Sequence, residues 1–142
     1  MNINYNASLI LLIHNDKVLL ILRDKDPVIN SPNCWCFPGG IKEENETFAE
    51  ACKREVKEEL GLTLQKVDFI KTILYEDRCK YYYVAKISDF EKLKIKLNEG
   101  QRYDFFTIDE IEELPLARST KLFITECRDL LKNLLDPETS SG

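Results

Sequence analysis

The chain has 142 residues, of which 44% are hydrophobic and 32% charged, and its formal net charge is −5 at pH 7. This length suits one domain with a buried core, and the composition is typical of a globular protein. The negative charge argues against broad binding to a nucleic-acid polymer. A membrane span is also excluded, because no apolar run approaches the roughly 20 residues that cross a bilayer.

The N-terminal residues predict no secretory signal, because they lack a basic region and a small-residue cleavage site. We therefore expect a cytoplasmic protein that does not associate with membranes. The five cysteines are an odd number without CxxC spacing, which favours reduced thiols that serve mostly in packing. A structural zinc site is not expected, since the sequence contains one histidine.

The N-terminal part of the chain predicts two strands and a loop. Residues 7–13 and 17–23 have the apolar content of strands, and the turn-forming pair Asn15-Asp16 joins them. Residues 24–34 are rich in turn formers and predict a loop. The next six residues, WCFPGG at positions 35–40, predict a short extended segment that ends in a flexible pair of glycines.

A central helix and two strands are predicted next. Thr47 and Glu50 form a capping-box pattern that begins a helix, and Gly61 is placed to end it in the left-handed conformation. The β-branched and aromatic residues of 63–76 and 79–88 predict strands, with Glu76-Asp77 at the turn.

The C-terminal part predicts a strand and two helices. Residues 102–107 form the strand, Asp109 caps a short helix that runs through Glu113, and Ser119 caps a last helix that runs to about Leu135. Strands on both sides of a central helix indicate an α/β protein whose sheet lies between helices. We predict one domain at 1–136, followed by a flexible tail at 137–142.

The central helix carries carboxylates in an unusual position. At about 100° per residue, Glu59 falls at the edge of the apolar stripe that contains Cys52 and Val56, and Glu55 and Glu58 lie on the same side. A solvated acidic face is the ordinary interpretation of such a helix. Glu59, however, would be directed toward the core, where a carboxylate must be paired, hydrogen-bonded or metal-bound. Three carboxylates at this spacing suit a hard divalent cation.

Arg54 on the same helix has two interpretations. It is either a surface charge, or it holds the Glu46 carboxylate in a bidentate pair and so fixes the preceding loop against the helix.

The fixed residues of this region resemble the Nudix box. The segment 40–62 has Gly40, five residues, Glu46, seven residues and Arg54-Glu55, then an aliphatic residue, any residue, Glu58-Glu59, any residue, Gly61 and an aliphatic residue. The resemblance extends outside the box. WCFPGG is similar to the Trp-x-Phe-Pro-Gly-Gly entry of the family, and Asn98-Glu99-Gly100-Gln101 resembles the Glu-Gly-Gln element of MutT-type members.

The resemblance implies a Nudix fold, a mixed β-sheet between helices with the box as loop, helix and loop. It implies hydrolysis of a nucleoside diphosphate linked to another moiety, with Mg²⁺ or Mn²⁺. The metal ligands it implies are Glu55, Glu58, Glu59, Glu99 and the Gly39 carbonyl. Either Glu55 or Glu99 would activate water. Arg54 would belong to the catalytic group, and Glu46 and Gly61 would be structural.

The substrate is predicted less closely than the reaction. By resemblance, we predict that the substrate-binding residues are Arg23, Trp35, Cys36, Phe37, Gly39, Gly40 and Arg118. Trp35, Tyr81 and Phe106 could stack on a base, although aromatic residues of this kind more often pack in the core. In guanine-selective MutT-type enzymes an asparagine follows a Pro-x-Ala segment. Here Arg118 stands at that position, so selectivity for 8-oxoguanine is not implied. Arg118 could contact a phosphate or pair with Glu112 or Glu113.

The first hypothesis is a MutT-like pyrophosphohydrolase that converts a (deoxy)nucleoside triphosphate to the monophosphate and pyrophosphate. The second is hydrolysis of ADP-ribose, another nucleotide sugar or a dinucleoside polyphosphate. The third is an inactive Nudix-fold module that binds nucleotides, which the intact Glu55, Glu58 and Glu59 disfavour. The expected partner is a small nucleotide, and the sequence does not decide between a monomer and a homodimer.

Overall fold

The computed structural model describes residues 6–29, 31–76 and 78–136. In chain order its elements are β1 Ala7–His14, β2 Lys17–Leu22, β3 Trp35–Cys36, β4 Gly39–Ile41, α1 Phe48–Leu60, β5 Asp68–Tyr75, β6 Arg78–Lys86, α2 Asp89–Leu93, β7 Arg102–Phe106, α3 Ile108–Ile111, α4 Arg118–Glu126 and α5 Arg128–Leu135. The predicted tail at 137–142 and the turn residue Asp77 lie outside the described residues.

The chain divides into two compact units, the first made of the residues up to Leu12 with Pro38–Glu99, and the second of Ile13–Phe37 with the residues from Gly100 onward. None of the described helices has both the length and the apolar character that a bilayer span requires.

The first unit is built around β1 and α1. Strand β4 pairs antiparallel with β1, so that Ser8 lies opposite Gly40 and Leu9 opposite Gly39. Strands β5 and β6 form an antiparallel hairpin with an irregularity between Phe69 and Lys71. The core is apolar and fully buried on both β1 and α1, with Ile10, Leu11, Leu12, Ala51, Cys52, Val56 and Leu60 at 0% exposure. Burial of this stripe fixes which face of α1 is left for polar side chains.

Helix α1 begins and ends where the sequence predicts. The Thr47 hydroxyl accepts from Glu50 N at 3.1 Å, and Thr47 N donates to Glu50 Oε1 at 2.7 Å. At the other end Gly61 adopts a left-handed φ of 70°, and its N–H donates to Lys57 O at 3.0 Å. The predicted capping box and glycine C-cap are both confirmed, and together they set the register of the helix.

The second unit is organised on β2. Strand β2 pairs antiparallel with β3 and with β7, where Leu20 lies opposite Asp104. The backbone N–H of Phe37 donates to the buried Thr120 hydroxyl of α4 at 2.9 Å. The Phe37 ring meets Phe123 edge to face, with centroids 5.7 Å apart. These contacts place Phe37 against α4.

Two predicted helix starts are wrong. Thr107, not Asp109, caps α3, because its hydroxyl accepts from Glu110 N and Glu110 Oε1 accepts from Thr107 N at 2.8 Å. The last predicted helix is two helices, since Cys127 leaves helical geometry at φ −122° and ψ 32° between α4 and α5. Ser119 is not its cap, because α4 already begins at Arg118.

Three further elements differ from the prediction. The strand predicted from 63 begins at Asp68, because Leu62 and Leu64 are buried without entering the β5–β6 ladder. The glycine pair at 39–40 is not a flexible end but part of β4. A short helix, α2, was not predicted, although Ser88 and Glu91 form a capping box that begins it.

Candidate functional site

The carboxylates of α1 differ in their exposure. Glu59 is 8% exposed and so lies in the buried stripe, which confirms the direction predicted from helical geometry. The Glu55 side chain is 16% exposed and that of Glu58 is 57% exposed. The three therefore form a series from core to surface on one side of the last two turns of the helix.

The glycines of β4 lie directly against two of these carboxylates. Gly39 N donates to Glu59 Oε1 at 3.2 Å. Gly39 has a φ of +147°, and a Cβ there would lie 2.8 Å from Leu9 Cα and would overlap Ser8 O. A Cβ on Gly40 would overlap Glu55 Oε2. Position 39 needs glycine for its backbone, and position 40 needs it to leave room for the Glu55 carboxylate.

Arg54 makes the pair with Glu46 that the sequence left open. Its Nη2 donates to Glu46 Oε1 at 2.7 Å, and its Nε donates to Glu46 Oε2 at 3.0 Å. Nη2 also donates to Ile41 O at 3.2 Å, which ties the end of β4 to α1. The hydrogen bond from Arg54 lowers the pKa of Glu46. Arg54 Nη1 further lies 3.6 Å from Glu55 Oε2 and 3.4 Å from Glu58 Oε2.

Arg54→Lys is expected to lower the free energy of unfolding by about 1 kcal/mol, because an ammonium group cannot reproduce the bidentate contact with Glu46. Urea unfolding of the metal-free protein measures the effect. Arg128→Lys is the matched control, since Arg128 pairs with Glu112 at 2.7 Å in a more exposed setting. Equal losses in the two variants would contradict a special role for the Arg54 pair.

Burial and mutual repulsion act on the acidic cluster formed by Glu55, Glu58, Glu59 and Glu99. Burial raises the pKa of Glu59 to about 8, and Glu55, Glu99 and Glu58 add to that rise while the Gly39 N–H opposes it. Burial also raises the pKa of Glu55 to about 7, against the opposing effect of Arg54. Carboxylates that are crowded and partly desolvated in this way favour a cation or a proton among them.

The donor set suits a hard divalent cation, because the residues contribute oxygen ligands and the negative charge is concentrated. As they are placed, however, no group of three His, Cys, Asp or Glu side chains among the described residues converges on one point. Arg54 lies within ion-pair distance of both Glu55 and Glu58.

Glu99 lies in the exposed loop that follows α2 and belongs to the same unit as α1. Asn98, its neighbour, donates from its backbone N to Glu59 O at 2.8 Å and from its side chain to Glu58 O at 3.2 Å. Sequence reasoning gave Asn98 no role of its own. The contact joins residues 40 positions apart, so no local signal in the sequence could have shown it.

The aromatic residues proposed to stack on a base are used in packing. Trp35 is 4% exposed, and its ring meets Phe106 edge to face at 4.9 Å and lies under Arg102. Phe37 is 2% exposed. Tyr81, in the first unit, stacks on Phe48 with centroids 3.8 Å apart. Both the Trp35 and Phe37 side chains are buried, and their part in substrate binding stays a prediction.

The other predicted substrate-binding residues of the second unit are more accessible. Arg23 directly follows β2 and is half-buried. Its backbone N–H donates to Cys34 O at 2.8 Å, and its backbone carbonyl accepts from Gln101 Nε2 at 2.7 Å. Cys36 is half-buried in β3. Arg118 is exposed at the first position of α4. Glu112, one of its predicted partners, pairs with Arg128.

Comparisons with known proteins identify relatives of the chain. The NUDIX domain family matches residues 4–127. An 8-oxo-dGTP diphosphatase from Buchnera aphidicola is 39% identical over 57 residues, which are 38% of this chain and less than half of that protein, 46%. The nucleoside triphosphatase NudI of Escherichia coli is 31% identical over 123 residues, which cover 78% of this chain and 87% of that protein.

A solved structure shares the fold. The MutT NUDIX hydrolase from Burkholderia pseudomallei superimposes with a TM-score of 0.72 at 22% identity, covering 87% of this chain and 97% of the other. The predicted α/β class, a mixed sheet with helices in the Nudix fold, is thereby confirmed. Since the family match extends over most of the chain and includes α1 with its flanking loops, the chain belongs to the NUDIX domain family.

Proposed function

We propose that this protein is a metal-dependent nucleotide pyrophosphohydrolase, which cleaves a nucleoside triphosphate to the monophosphate and pyrophosphate. One observation carries the proposal, namely that Glu55, Glu58 and Glu59 lie along one side of α1, with Glu59 against Gly39 and Glu55 against Gly40. Nudix hydrolases generally use a divalent metal, and Mg²⁺ fits the oxygen donors of this cluster best. The names of the relatives, a diphosphatase and a triphosphatase of nucleotides, support the same substrate class.

We propose that Glu55, Glu58, Glu59 and Glu99, with the Gly39 carbonyl, hold the metal. When bound, the metal would neutralise phosphate charge and lower the pKa of the attacking water. Oxygen of that water would form a bond to one phosphorus, the anhydride P–O bond would break, and its electron pair would leave with pyrophosphate. Glu55 or Glu99 would accept the proton.

In this proposal the remaining predicted residues hold the loop before α1 in place or bind the substrate. Arg54 holds the loop before α1 through Glu46. Arg23 would supply positive charge for phosphate oxygens, and Arg118 would supply positive charge beside the substrate, while Gly39, Gly40 and Cys36 would contact the substrate. Trp35 and Phe37 stay in the predicted substrate-binding set, with their side chains buried.

A phosphate-release screen with Mg²⁺ and Mn²⁺ tests the proposal. The panel contains ordinary and oxidised (deoxy)nucleoside triphosphates, ADP-ribose, nucleotide sugars and dinucleoside polyphosphates. Added pyrophosphatase or phosphatase separates the products and so locates the bond that is cut. Preferred turnover of a triphosphate with release of pyrophosphate is the expected result. Preferred turnover of ADP-ribose would show that the substrate is a nucleotide sugar and not a nucleoside triphosphate. No turnover by folded, metal-loaded protein would contradict the proposal.

Arg118→Ala is expected to change the ratio of kcat/KM between nucleotides by about 10-fold, because it removes an exposed charge at the position where guanine-selective relatives read the base. Metal affinity should stay the same, since Arg118 is not among the proposed ligands. The measurement is kcat/KM for the two best nucleotides of the panel, together with a Mn²⁺ titration. An unchanged substrate profile would show that Arg118 is an ordinary surface charge.

A further inference from the structure

The segment after α2 returns along the C-terminal end of α1. Lys96 N donates to Leu60 O at 2.9 Å, and Asn98 N donates to Glu59 O at 2.8 Å. The Asn98 side chain adds a third contact, from Nδ2 to Glu58 O at 3.2 Å. The last carbonyls of a helix have no partner within the helix, and here residues 96–98 supply donors for three of them in succession.

Asn98 connects Glu99 to the end of α1. It is bonded to the carbonyls of Glu58 and Glu59, and it is covalently joined to Glu99, whose Cα must lie about 3.8 Å from its own. The Glu99 backbone is thus fixed to the same helical turn that carries Glu58 and Glu59.

The side chain of Asn98 is suited to this contact. Its amide N–H₂ donates to a carbonyl, a bond that a carboxylate or an apolar side chain cannot make. Its backbone N–H makes a second bond to the adjacent carbonyl, so two hydrogen bonds join Asn98 to the end of α1. Asn98 is itself exposed, and its substitution leaves no cavity in the core.

We propose that Asn98 is a positioning residue that fixes Glu99 relative to Glu55, Glu58 and Glu59. This inference rests on the proposed function, in which Glu99 takes part in holding the metal or in activating water. Loss of the Asn98 side chain would leave Glu99 present but spread over more positions. Such a loss lowers the fraction of time that the acidic cluster is complete, while substrate contacts elsewhere are unchanged.

A double-mutant cycle tests the proposal with the wild-type protein, Asn98→Ala, Glu99→Gln and the double variant. Asn98→Ala is expected to lower kcat by about 10-fold with KM within about twofold, in the range found for residues that orient metal ligands. In the Glu99→Gln background the same substitution should have no further effect. A merely structural role would give the same fold-loss in both backgrounds and would overturn the proposal.

Lys53→Ala is the matched control, because Lys53 Nζ also joins α1 to a loop through a backbone carbonyl, that of Gln65, at 3.0 Å. It should leave kcat unchanged in both backgrounds. If Asn98→Ala does not fold, as judged by circular dichroism, Asn98→Leu keeps the shape of the side chain without its donor and takes its place in the cycle.

Mn²⁺ binding measured by electron paramagnetic resonance gives a second readout on the same four proteins. Asn98→Ala should weaken Mn²⁺ binding, and Glu99→Gln should abolish the difference. If the wild-type protein hydrolyses no nucleotide, the proposed function fails, and this binding cycle alone decides the role of Asn98. If Glu99→Gln matches the wild type in both turnover and Mn²⁺ affinity, Asn98 cannot act through Glu99 and the inference is overturned.

Discussion

Glu59→Gln is expected to lower kcat at least about 100-fold while the protein remains folded. Loss of one fixed charge-stabilising group commonly has an effect of this size, and Glu59 is the most enclosed acid of the cluster, at 8% exposure. Glutamine has nearly the same shape, and its amide oxygen can still accept from Gly39 N. The substitution therefore removes the charge that would hold a cation and keeps the packing around it.

The measurement is kcat and KM on the preferred nucleotide over a range of Mg²⁺ concentrations. Glu50→Gln is the matched control, since Glu50 lies on the same helix and caps Thr47 N through an oxygen that glutamine also supplies. The control should retain wild-type rates. Near-normal turnover by Glu59→Gln at saturating Mg²⁺ would show that the metal does not depend on this carboxylate.

The parts of the fold that were predicted correctly depend on local interactions. The bounds of α1 follow from Thr47 with Glu50 at one end and Gly61 at the other, and each contact spans no more than four residues. Family membership followed from fixed spacings in the same segment. The orientation of Glu59 was predictable for the same reason, because helical periodicity alone places it in the buried stripe.

The parts that were missed depend on distant contacts. Gly39 and Gly40 have little strand propensity, and they form β4 because Leu9 and Ser8 of β1 pair with them. Asn98 acquires its contacts with Glu58 and Glu59 only when the chain returns to α1. The aromatic ring of Trp35 could have faced a ligand or the core, and its packing against Phe106 could be resolved only in three dimensions.

The prediction of helix boundaries was also less accurate where two possible N-cap residues lie close together. Thr107 and Asp109 are both good N-caps, and Thr107 is favoured because Glu110 stands at the third helical position to complete a capping box. Cys127 carries no turn signal of the kind that glycine or proline supplies, yet the backbone breaks there. The sequence patterns at these positions allow more than one answer, and tertiary packing selects between them.

In the metal-free protein, the free energy of unfolding is expected to fall as the pH rises from about 4.5 to about 8. The folded pKa of Glu59 is raised to about 8 from an ordinary value of 4.5, chiefly by burial. The folded state therefore retains a proton that the unfolded state has released in this window, and stability decreases with pH. At about 1.36 kcal/mol per pKa unit, the penalty is on the order of 5 kcal/mol when Glu59 is fully ionised.

Comparison with Glu59→Gln isolates this effect from all other titrating groups. Urea unfolding in the presence of a chelator should give similar stabilities for the two proteins near pH 5, and a more stable variant near pH 9, because glutamine carries no charge to be buried. Mg²⁺ at pH 9 should stabilise the wild-type protein and have little effect on the variant. A stability difference that does not change with pH would mean that Glu59 is better solvated, or better paired, than its position in the buried stripe of α1 indicates.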